Sequence, residues 1–180
     1  MRITAGKYRS RLITMPEGIR PTQDKTRKAI FDILQDVEGM SFLELFAGSG
    51  AAGIEAESRG AVNVALVENN RAAQLAITKN LTSLKTQNCR LYPMETEAAI
   101  KLFAKEKRLF DIIFLDPPYH LGLAKKTLQT IASYGILAPN GFIIAEHERK
   151  DILPETLGVF SLIKKSTYGH TTLSFYKKAE

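Results

Sequence analysis

The sequence predicts an α/β fold, a doubly wound sheet that is mostly parallel and carries helices on both faces. Three observations predict it. From residue 41 onward, short strand-like segments alternate with helix-like segments, as repeated βα units do. The first of these strands runs into a glycine-rich turn and a helix. The fourth, residues 110–116, has almost no polar residue, which is typical of a strand that helices cover on both sides.

The segment before residue 41 is predicted to form a hairpin, a loop and one helix. Residues 2–14 indicate two short strands around a turn at Gly6-Lys7, and residues 15–22 form a loop rich in proline and glycine. Apolar residues then recur with the spacing of one helix face, namely Ile30, Ile33, Leu34 and Val37. Asp24 or Thr22 is expected to cap this helix, and Gly39 to end it.

The elements of the sheet follow in alternation. The predicted strands cover residues 41–46, 62–68, 88–93, 110–116 and 141–147, and the predicted helices cover 51–60, 71–84, 95–106 and about 121–133. Residues 158–178 predict two closing strands that turn near Gly169, so the sheet should contain an antiparallel strand at that end. Ligands of such sheets bind at the carboxyl ends of the strands, where the strand order reverses. We expect the first and fourth strands to flank that crevice.

Length and composition fit one domain, residues 1–180, with a basic hairpin and loop extension over 1–22 and the core over 23–180. Cys89 is the only cysteine, so no intrachain disulfide can form, and no Cys/His set has metal-ligand spacing, so no metal is expected. The sequence lacks an apolar run of the roughly 20 residues that cross a membrane, and it lacks a signal peptide. A soluble, cytoplasmic monomer with no membrane partner is expected.

The positive charge of the chain is concentrated near its start. Residues 1–28 hold eight bases and two acids, which account for the whole formal net charge of +6. Such a concentrated positive field is what a polyanion requires, so nucleic acid is the predicted partner. The candidate contacts are Arg2, Lys7, Arg9, Arg11, Arg20 and Arg27.

The glycine-rich turn belongs to the stretch E-L-F-A-G-S-G-A-A-G, residues 44–53, whose last six residues fit G-x-G-x-x-G. This pattern indicates a dinucleotide or another adenosine-bearing cofactor. A carboxylate at Glu44 would repel a phosphate, and it could instead bind the ammonium group of S-adenosylmethionine (SAM). The candidate cofactor residues here are Glu44, Phe46, Ala47, Gly48, Ser49, Gly50 and Gly53.

Polar residues after the second and third strands extend this candidate site. Glu68 lies 20 residues after Gly48, a position that suits hydrogen bonds to two ribose hydroxyls, and Asn69 follows it. This arrangement fits NAD and SAM equally. Glu95 and Thr96 either contact the adenine edge or simply begin a helix, where an acid favours the helix dipole.

The motif D-P-P-Y, Asp116 to Tyr119, ends the apolar fourth strand. Its two prolines remove backbone donors and stiffen the loop, which leaves the Asp116 carboxylate and a neighbouring carbonyl, that of Pro117, as acceptors. Such a corner suits an exocyclic amine, and Tyr119 offers a face on which a base can stack. The four residues Asp116, Pro117, Pro118 and Tyr119 are the candidate catalytic residues, which would orient the amine toward the sulfonium methyl of SAM.

These motifs together resemble a known group of enzymes. Residues 42–61, Glu68 and residues 110–119 resemble the Rossmann-like class I SAM-dependent methyltransferases that modify amino nitrogens. Three further segments resemble the bacterial RsmD family, namely R-I-T-A-G-K-Y-R-S-R-L-I, I-R-P-T-Q-D-K-T-R-K-A-I-F-D-I-L and Y-G-H-T-T-L-S-F-Y. The resemblance implies methylation of the N2 amine of guanine 966 in 16S ribosomal RNA, within an assembled or assembling small ribosomal subunit.

The resemblance also implies roles for single residues. It implies that the turn from Glu44 to Gly50 binds SAM, that Glu68 binds the ribose, and that Asp116–Tyr119 hold the guanine. The chain departs from the family pattern at Glu44, where Asp is usual, and at Glu95-Thr96, where Asp-Ala is usual. Two alternatives stay open: a DNA adenine-N6 methyltransferase, which the same D-P-P-Y corner could serve, and a non-catalytic RNA-binding ribosome assembly factor.

Overall fold

The computed structural model describes residues 1–16, 24–119 and 122–179, with the side chains of Asp24 and Lys25 left out. The predicted RNA contact Arg20 and the predicted cap Thr22 lie outside the described residues, as does the capping side chain of Asp24. The helices and strands are α1 (Asp24–Leu34), β1 (Ser41–Leu45), α2 (Ala51–Ser58), β2 (Val62–Val67), α3 (Arg71–Leu84), β3 (Cys89–Tyr92), α4 (Thr96–Lys105), β4 (Phe110–Leu115), α5 (Leu123–Tyr134), β5 (Leu137–Glu148), β6 (Thr156–Leu157), β7 (Phe160–Tyr168) and β8 (Thr171–Lys178).

The strands form one sheet in the order β3-β2-β1-β4-β5-β8-β7-β6. The first five are parallel, and β8 pairs antiparallel with β5. The mostly parallel, doubly wound fold is therefore confirmed, including the antiparallel strand. The short strand β6, which the sequence did not indicate, pairs antiparallel with β7 at the outer edge.

The strand register aligns the ends of the central strands. Leu45 of β1 pairs with Leu115 of β4, and Leu115 pairs with Ala145 of β5. These three residues therefore lie at the same level, where β1 and β4 end and β5 continues to Glu148. We call this level the carboxyl edge of the sheet. Since the strand order reverses at β1 and β4, this edge provides the crevice that the sequence predicts.

Two apolar layers cover the sheet. Residues of α1, α2 and α3 pack in one cluster against one face, and residues of α4 and α5 pack in another cluster against the opposite face. The middle of β4, from Ile112 to Leu115, is buried throughout, which explains its continuous apolar sequence. None of the described helices is long and apolar enough to cross a membrane.

The first sixteen residues differ from the predicted hairpin. The turn is present, with Gly6 at φ +75°, and three backbone hydrogen bonds join the two arms. The arms form one antiparallel bridge, Arg2–Leu12, and no extended strand pair. The physical reason is that the backbone of this segment forms hydrogen bonds to α2 in place of further pairing between its two arms. Ile3, Tyr8 and Ile13 are buried against α2 and α3, and the Lys7 amide donates to the Ser58 carbonyl at 2.7 Å. We call residues 1–16 the N-terminal segment.

The end of α1 was predicted wrongly at Gly39. The helix ends at Leu34, and Gln35 follows in the left-handed region with φ +62°. Val37 continues the apolar spacing of the helix because it is buried in the core beyond the helix end. The apolar residue at position 37 therefore extends the helical spacing in the sequence, although α1 has already ended there.

Candidate active site

The glycine turn between β1 and α2 places backbone groups at the carboxyl edge. Gly48 and Gly50 have φ of +56° and +74°, in the left-handed region that favours glycine. Phe46 also lies there, at φ +61°, which costs of order 1–3 kcal/mol for a residue with a bulky side chain. The Ala47 amide donates to Val67 of β2, and the Gly50 amide donates to Ala47. These two hydrogen bonds fix the conformation of the turn beside the end of β2.

The buried Glu44 side chain caps α2 from the neighbouring strand. Its Oε2 accepts from the Gly53 amide at 2.8 Å and its Oε1 from the Ala52 amide at 3.3 Å. Gly50, the N-cap residue, supplies no side-chain hydrogen bond. A carboxyl group therefore occupies the helix end where a dinucleotide would place its pyrophosphate. This position disfavours a phosphate-bearing cofactor.

Burial raises the pKa of Glu44 to about 8. The two amides of α2 lower the pKa, and the charges of Asp116 and Glu68 raise it, but burial is the largest effect. The sequence suggested Glu44 as a partner of a ligand ammonium group, directly or through water. In the structure its two carboxyl oxygens already accept hydrogen bonds from amides of α2. A hydrogen bond to a ligand ammonium group would be made in addition to these two.

Gly53, a candidate cofactor residue, lies against the sheet. A Cβ at this position would come within 2.3 Å of Leu66 Cδ2 and 3.0 Å of Glu44 Oε2. The third glycine of the motif therefore allows α2 to pack closely on β2 and to donate its amide to Glu44. This packing role involves no ligand.

The second and third strands contribute linked polar residues. Glu68 accepts from the Gly48 amide and the Asn70 amide, both at 2.8 Å, which fixes its carboxylate beside the glycine turn. Asn69 Nδ2 donates to Glu95 Oε1 at 2.8 Å. Glu95 is the N-cap residue of α4 but makes no capping bond, and Thr96 begins the helix. The structure thus brings Glu68, Asn69 and Glu95 to the same edge as the turn.

The D-P-P-Y corner follows β4 at this edge. Asp116 and Tyr119 are half-buried, Pro117 is buried and Pro118 is exposed. The Tyr119 hydroxyl lies 3.1 Å from Thr171 Oγ1, which ties the corner to the start of β8. A cavity of ≈ 160 Å³ lies beside the corner, lined by Pro117, Pro118 and Tyr119 and by residues of α5 and β5. Leu45 of β1 pairs with Leu115 of β4, so the glycine turn and the corner follow adjacent strands at the same level.

Sequence reasoning missed two residues at the end of β5. Glu146 is 3% exposed and lines the cavity, and its pKa is raised by burial and by the charge of Asp116. His147 is buried, with Nε2 2.8 Å from Ser174 Oγ and Nδ1 2.9 Å from the Glu148 carbonyl. Burial lowers its pKa. The signal available in the sequence was two ionisable residues, Glu146 and His147, directly after an apolar strand segment.

The N-terminal segment is anchored by buried acids of α2. Glu55, which is fully buried, accepts from the Thr4 amide at 2.8 Å, the Thr4 hydroxyl at 2.6 Å and the Ala5 amide at 3.0 Å. Tyr8 donates its hydroxyl to Glu57 at 2.9 Å. Four predicted RNA contacts are exposed on this segment, namely Arg2, Lys7, Arg9 and Arg11.

The prediction of a surface contact at Arg27 was wrong. Its side chain is 1% exposed, with Nη2 donating to the Arg2 carbonyl at 2.6 Å and Nε 3.9 Å from Glu55 Oε2. The cation is buried because it pairs with a buried carboxylate and holds the N-terminal segment. A sequence cannot distinguish such a structural arginine from its exposed neighbours.

A further missed residue, Asn80 of α3, connects the N-terminal segment to the glycine turn. Its Oδ1 accepts from the Thr14 amide at 2.7 Å, and its Nδ2 donates to the carbonyls of Thr14 at 2.9 Å and Ser49 at 3.0 Å. Ser49, a candidate cofactor residue, is itself buried. One side chain therefore couples the positions of the basic segment and the turn.

Comparisons with known proteins agree with this geometry. A family model described as "Conserved hypothetical protein 95" matches residues 1–177. The Bacillus subtilis protein YlbH is 39% identical over 182 residues, covering 99% of each chain. "Ribosomal RNA small subunit methyltransferase D" of Escherichia coli is 34% identical over 181 residues, covering 99% of this chain and 90% of that one. The solved structure of Escherichia coli yhhF, 34% identical, matches with a TM-score of 0.86 over 99% of this chain and 97% of that chain. The resemblance to the RsmD family is therefore confirmed, and this chain belongs to that family.

Proposed function

We propose that this protein transfers a methyl group from SAM to the exocyclic N2 amine of a guanine in 16S ribosomal RNA of the small subunit. The observation that carries the proposal is the D-P-P-Y corner at the carboxyl edge, beside a glycine turn whose helix is capped by Glu44. The relative named ribosomal RNA small subunit methyltransferase D supports the choice of reaction and RNA. Guanine 966 is the nucleotide that family membership suggests.

SAM fits the cofactor crevice better than a dinucleotide. Glu44 occupies the start of α2 and leaves no anion site there for a pyrophosphate. Glu68 presents a fixed carboxylate beside the turn, where ribose hydroxyls can donate to it. Asn69 and Glu95 lie further along the edge, where an adenine would extend. SAM carries an adenine, a ribose and an ammonium group, and it carries no phosphate.

Positioning and electrostatic stabilisation account for the chemistry. The amine of guanine is a weak nucleophile because its lone pair is delocalised into the ring. Hydrogen bonds from its N–H groups to Asp116 and to the Pro117 carbonyl would direct the lone pair at the sulfonium methyl. The nitrogen gains positive charge as the methyl group transfers, and the Asp116 carboxylate stabilises that charge. The amine then loses its proton without needing a strong base.

The experiment that tests this proposal offers labelled SAM and three substrates: small ribosomal subunits lacking the modification, naked 16S RNA and duplex DNA. We expect label in RNA, at the N2 position of one guanine. Label in DNA with neither RNA substrate modified would favour the adenine-N6 alternative. RNA binding without any transfer would favour the assembly-factor alternative. Within the described ranges 1–16, 24–119 and 122–179, the single sheet has no sizeable insertion that could recognise a DNA sequence, which supports RNA.

Removing Arg9 and Arg11 should weaken RNA binding. Both side chains are exposed on the N-terminal segment, so their replacement by Ala removes charge without disturbing the core. If each contacts one phosphate, the slope of log K against log salt should fall by about 1.4–1.8. Filter binding at several salt concentrations measures this slope. Replacement of the exposed Lys105 and Lys107, at the end of α4 on the opposite face of the sheet, is the matched control and should leave the slope unchanged. A change in SAM affinity alone would instead assign the segment to the cofactor site.

A further inference from the structure

Glu146 lies beside Asp116 at the carboxyl edge. β4 and β5 are parallel and Leu115 pairs with Ala145, so the next residues of the two strands, Asp116 and Glu146, are level with each other. The negative charge of Asp116 acts on Glu146. Two carboxyl groups therefore occupy neighbouring positions where only one was predicted.

Burial of the Glu146 side chain is energetically unfavourable, because one of its carboxyl oxygens makes no hydrogen bond to the described residues. It is 3% exposed, and its Oε2 has no hydrogen-bond partner among the residues that the structure describes. The same side chain lines the ≈ 160 Å³ cavity together with Pro117, Pro118 and Tyr119. A buried polar oxygen without a partner destabilises a fold, and such groups are retained mainly at functional sites. A ligand bound in the cavity that Glu146 lines would supply such a partner.

Burial and the charge of Asp116 raise the pKa of Glu146, which favours the neutral, protonated form of its carboxyl group. A neutral carboxyl group presents one O–H donor and one carbonyl acceptor side by side. Among the described residues, the other titratable groups that face this cavity are Tyr119 from the corner, Lys125 of α5, His147 of β5 and Asp151 after β5.

We propose that Glu146 is a second base-binding residue, which contacts the ring edge of the target guanine next to the amine held at Asp116. This inference rests on the proposed function. Beside its N2 amine, guanine presents the N1–H donor and then the O6 acceptor. The Glu146 carbonyl oxygen accepts from N1–H, and its O–H donates to O6. Adenine presents only the N1 acceptor beside its N6 amine, so it forms one hydrogen bond fewer and leaves a buried polar group unpaired.

Two substitutions of the full-length protein separate this contact from a structural role. Glu146→Gln remains neutral and keeps one donor and one acceptor, whereas Glu146→Met keeps the length and removes both. With small subunits lacking the modification as substrate, kcat/KM should stay within about fivefold for Gln and fall at least ~30-fold for Met. SAM affinity by calorimetry should stay within about twofold for both. The Met variant should unfold at the same or a higher temperature, because a buried unpaired carboxyl group is gone. Glu106→Gln, at the exposed end of α4, is the matched control.

The pH profile supplies a readout that a structural role would not change. The neutral form of Glu146 is present below its raised pKa and is lost as the pH rises through it. Ionisation removes the donor for O6 and adds a negative charge beside Asp116. The ratio of wild-type kcat/KM to that of Glu146→Gln should therefore fall with rising pH. Groups common to both proteins, including guanine itself, cancel in this ratio.

Several results would overturn the inference. An active Glu146→Met variant, a Gln variant as impaired as Met, or a ratio that does not change with pH would each show that Glu146 makes no such contact. These results would leave the proposed function standing, because the wild-type protein would still methylate RNA. A wild-type protein that methylates no RNA substrate would overturn both.

Discussion

Replacing Asp116 with Ala is expected to reduce turnover by ~10² or more while SAM affinity changes by less than about tenfold. The carboxylate lies at the end of β4, next to the glycine turn, where it would accept a hydrogen bond from the target amine as positive charge develops there. Such an interaction is stronger in the transition state than in the bound substrate, so its loss should lower kcat and kcat/KM together. Single-turnover methylation of undermodified small subunits, with calorimetry for SAM, measures both quantities.

Two further variants test whether the loss of turnover is specific to the carboxylate of Asp116. Asp116→Asn keeps one oxygen acceptor and should lose less turnover than Ala does. Asp32→Ala removes one exposed acid from α1, far from the corner, and should behave like the wild-type protein. An Asp116→Ala variant with normal turnover would remove Asp116 from the mechanism. A large loss of SAM affinity with unchanged turnover of the bound complex would make it a cofactor residue instead.

Replacing Gly6 with Ala is expected to detach the N-terminal segment from α2. A Cβ at Gly6 would lie 1.6 Å from the Ser58 carbonyl oxygen and 2.3 Å from its carbon, and backbone atoms cannot rotate away. The left-handed φ of +75° adds strain. The free energy of unfolding should fall by roughly 2–4 kcal/mol from these two effects together. Trypsin should cleave after Arg9 and Arg11 faster than in the wild-type protein, and RNA affinity should fall.

Gly39→Ala is the matched control for this prediction. Gly39 has φ +72°, close to that of Gly6, but no atom lies within 4 Å of its added Cβ. It therefore carries the backbone strain without the collision. If both variants unfold at the same denaturant concentration and resist trypsin equally, the contact with Ser58 does not hold the segment in place.

The sheet was predictable from the sequence because local patterns determine its elements. The predicted limits of α3 match the structure, and the apolar run of β4 identified a strand with both faces covered. The junction of β1 and β4 at one edge followed from the general topology of parallel sheets. The antiparallel position of β8 followed from the turn at Gly169.

The orientation of single side chains was not predictable, because it depends on contacts between distant residues. Glu44 was identified from its position before the glycines, but its bonds to the amides of α2 arise from the packing of that helix. Arg27 was classed with the exposed bases because its partner Glu55 lies 28 residues later in the chain. Glu146 was overlooked because only the register of β4 and β5 brings it level with Asp116.

The attachment of the N-terminal segment also determines when this part of the protein can fold. Thr4 binds Glu55, which is 51 residues further along the chain, and Thr14 binds Asn80, which is 66 residues further along. During synthesis the segment leaves the ribosome before its partners, which emerge only after α2 and α3 have been made. Because such distant contacts carry a high loop-closure cost, the segment should become ordered late, after the central strands have formed. A nascent chain that has not yet reached Asn80 would therefore expose a mobile, highly basic arm.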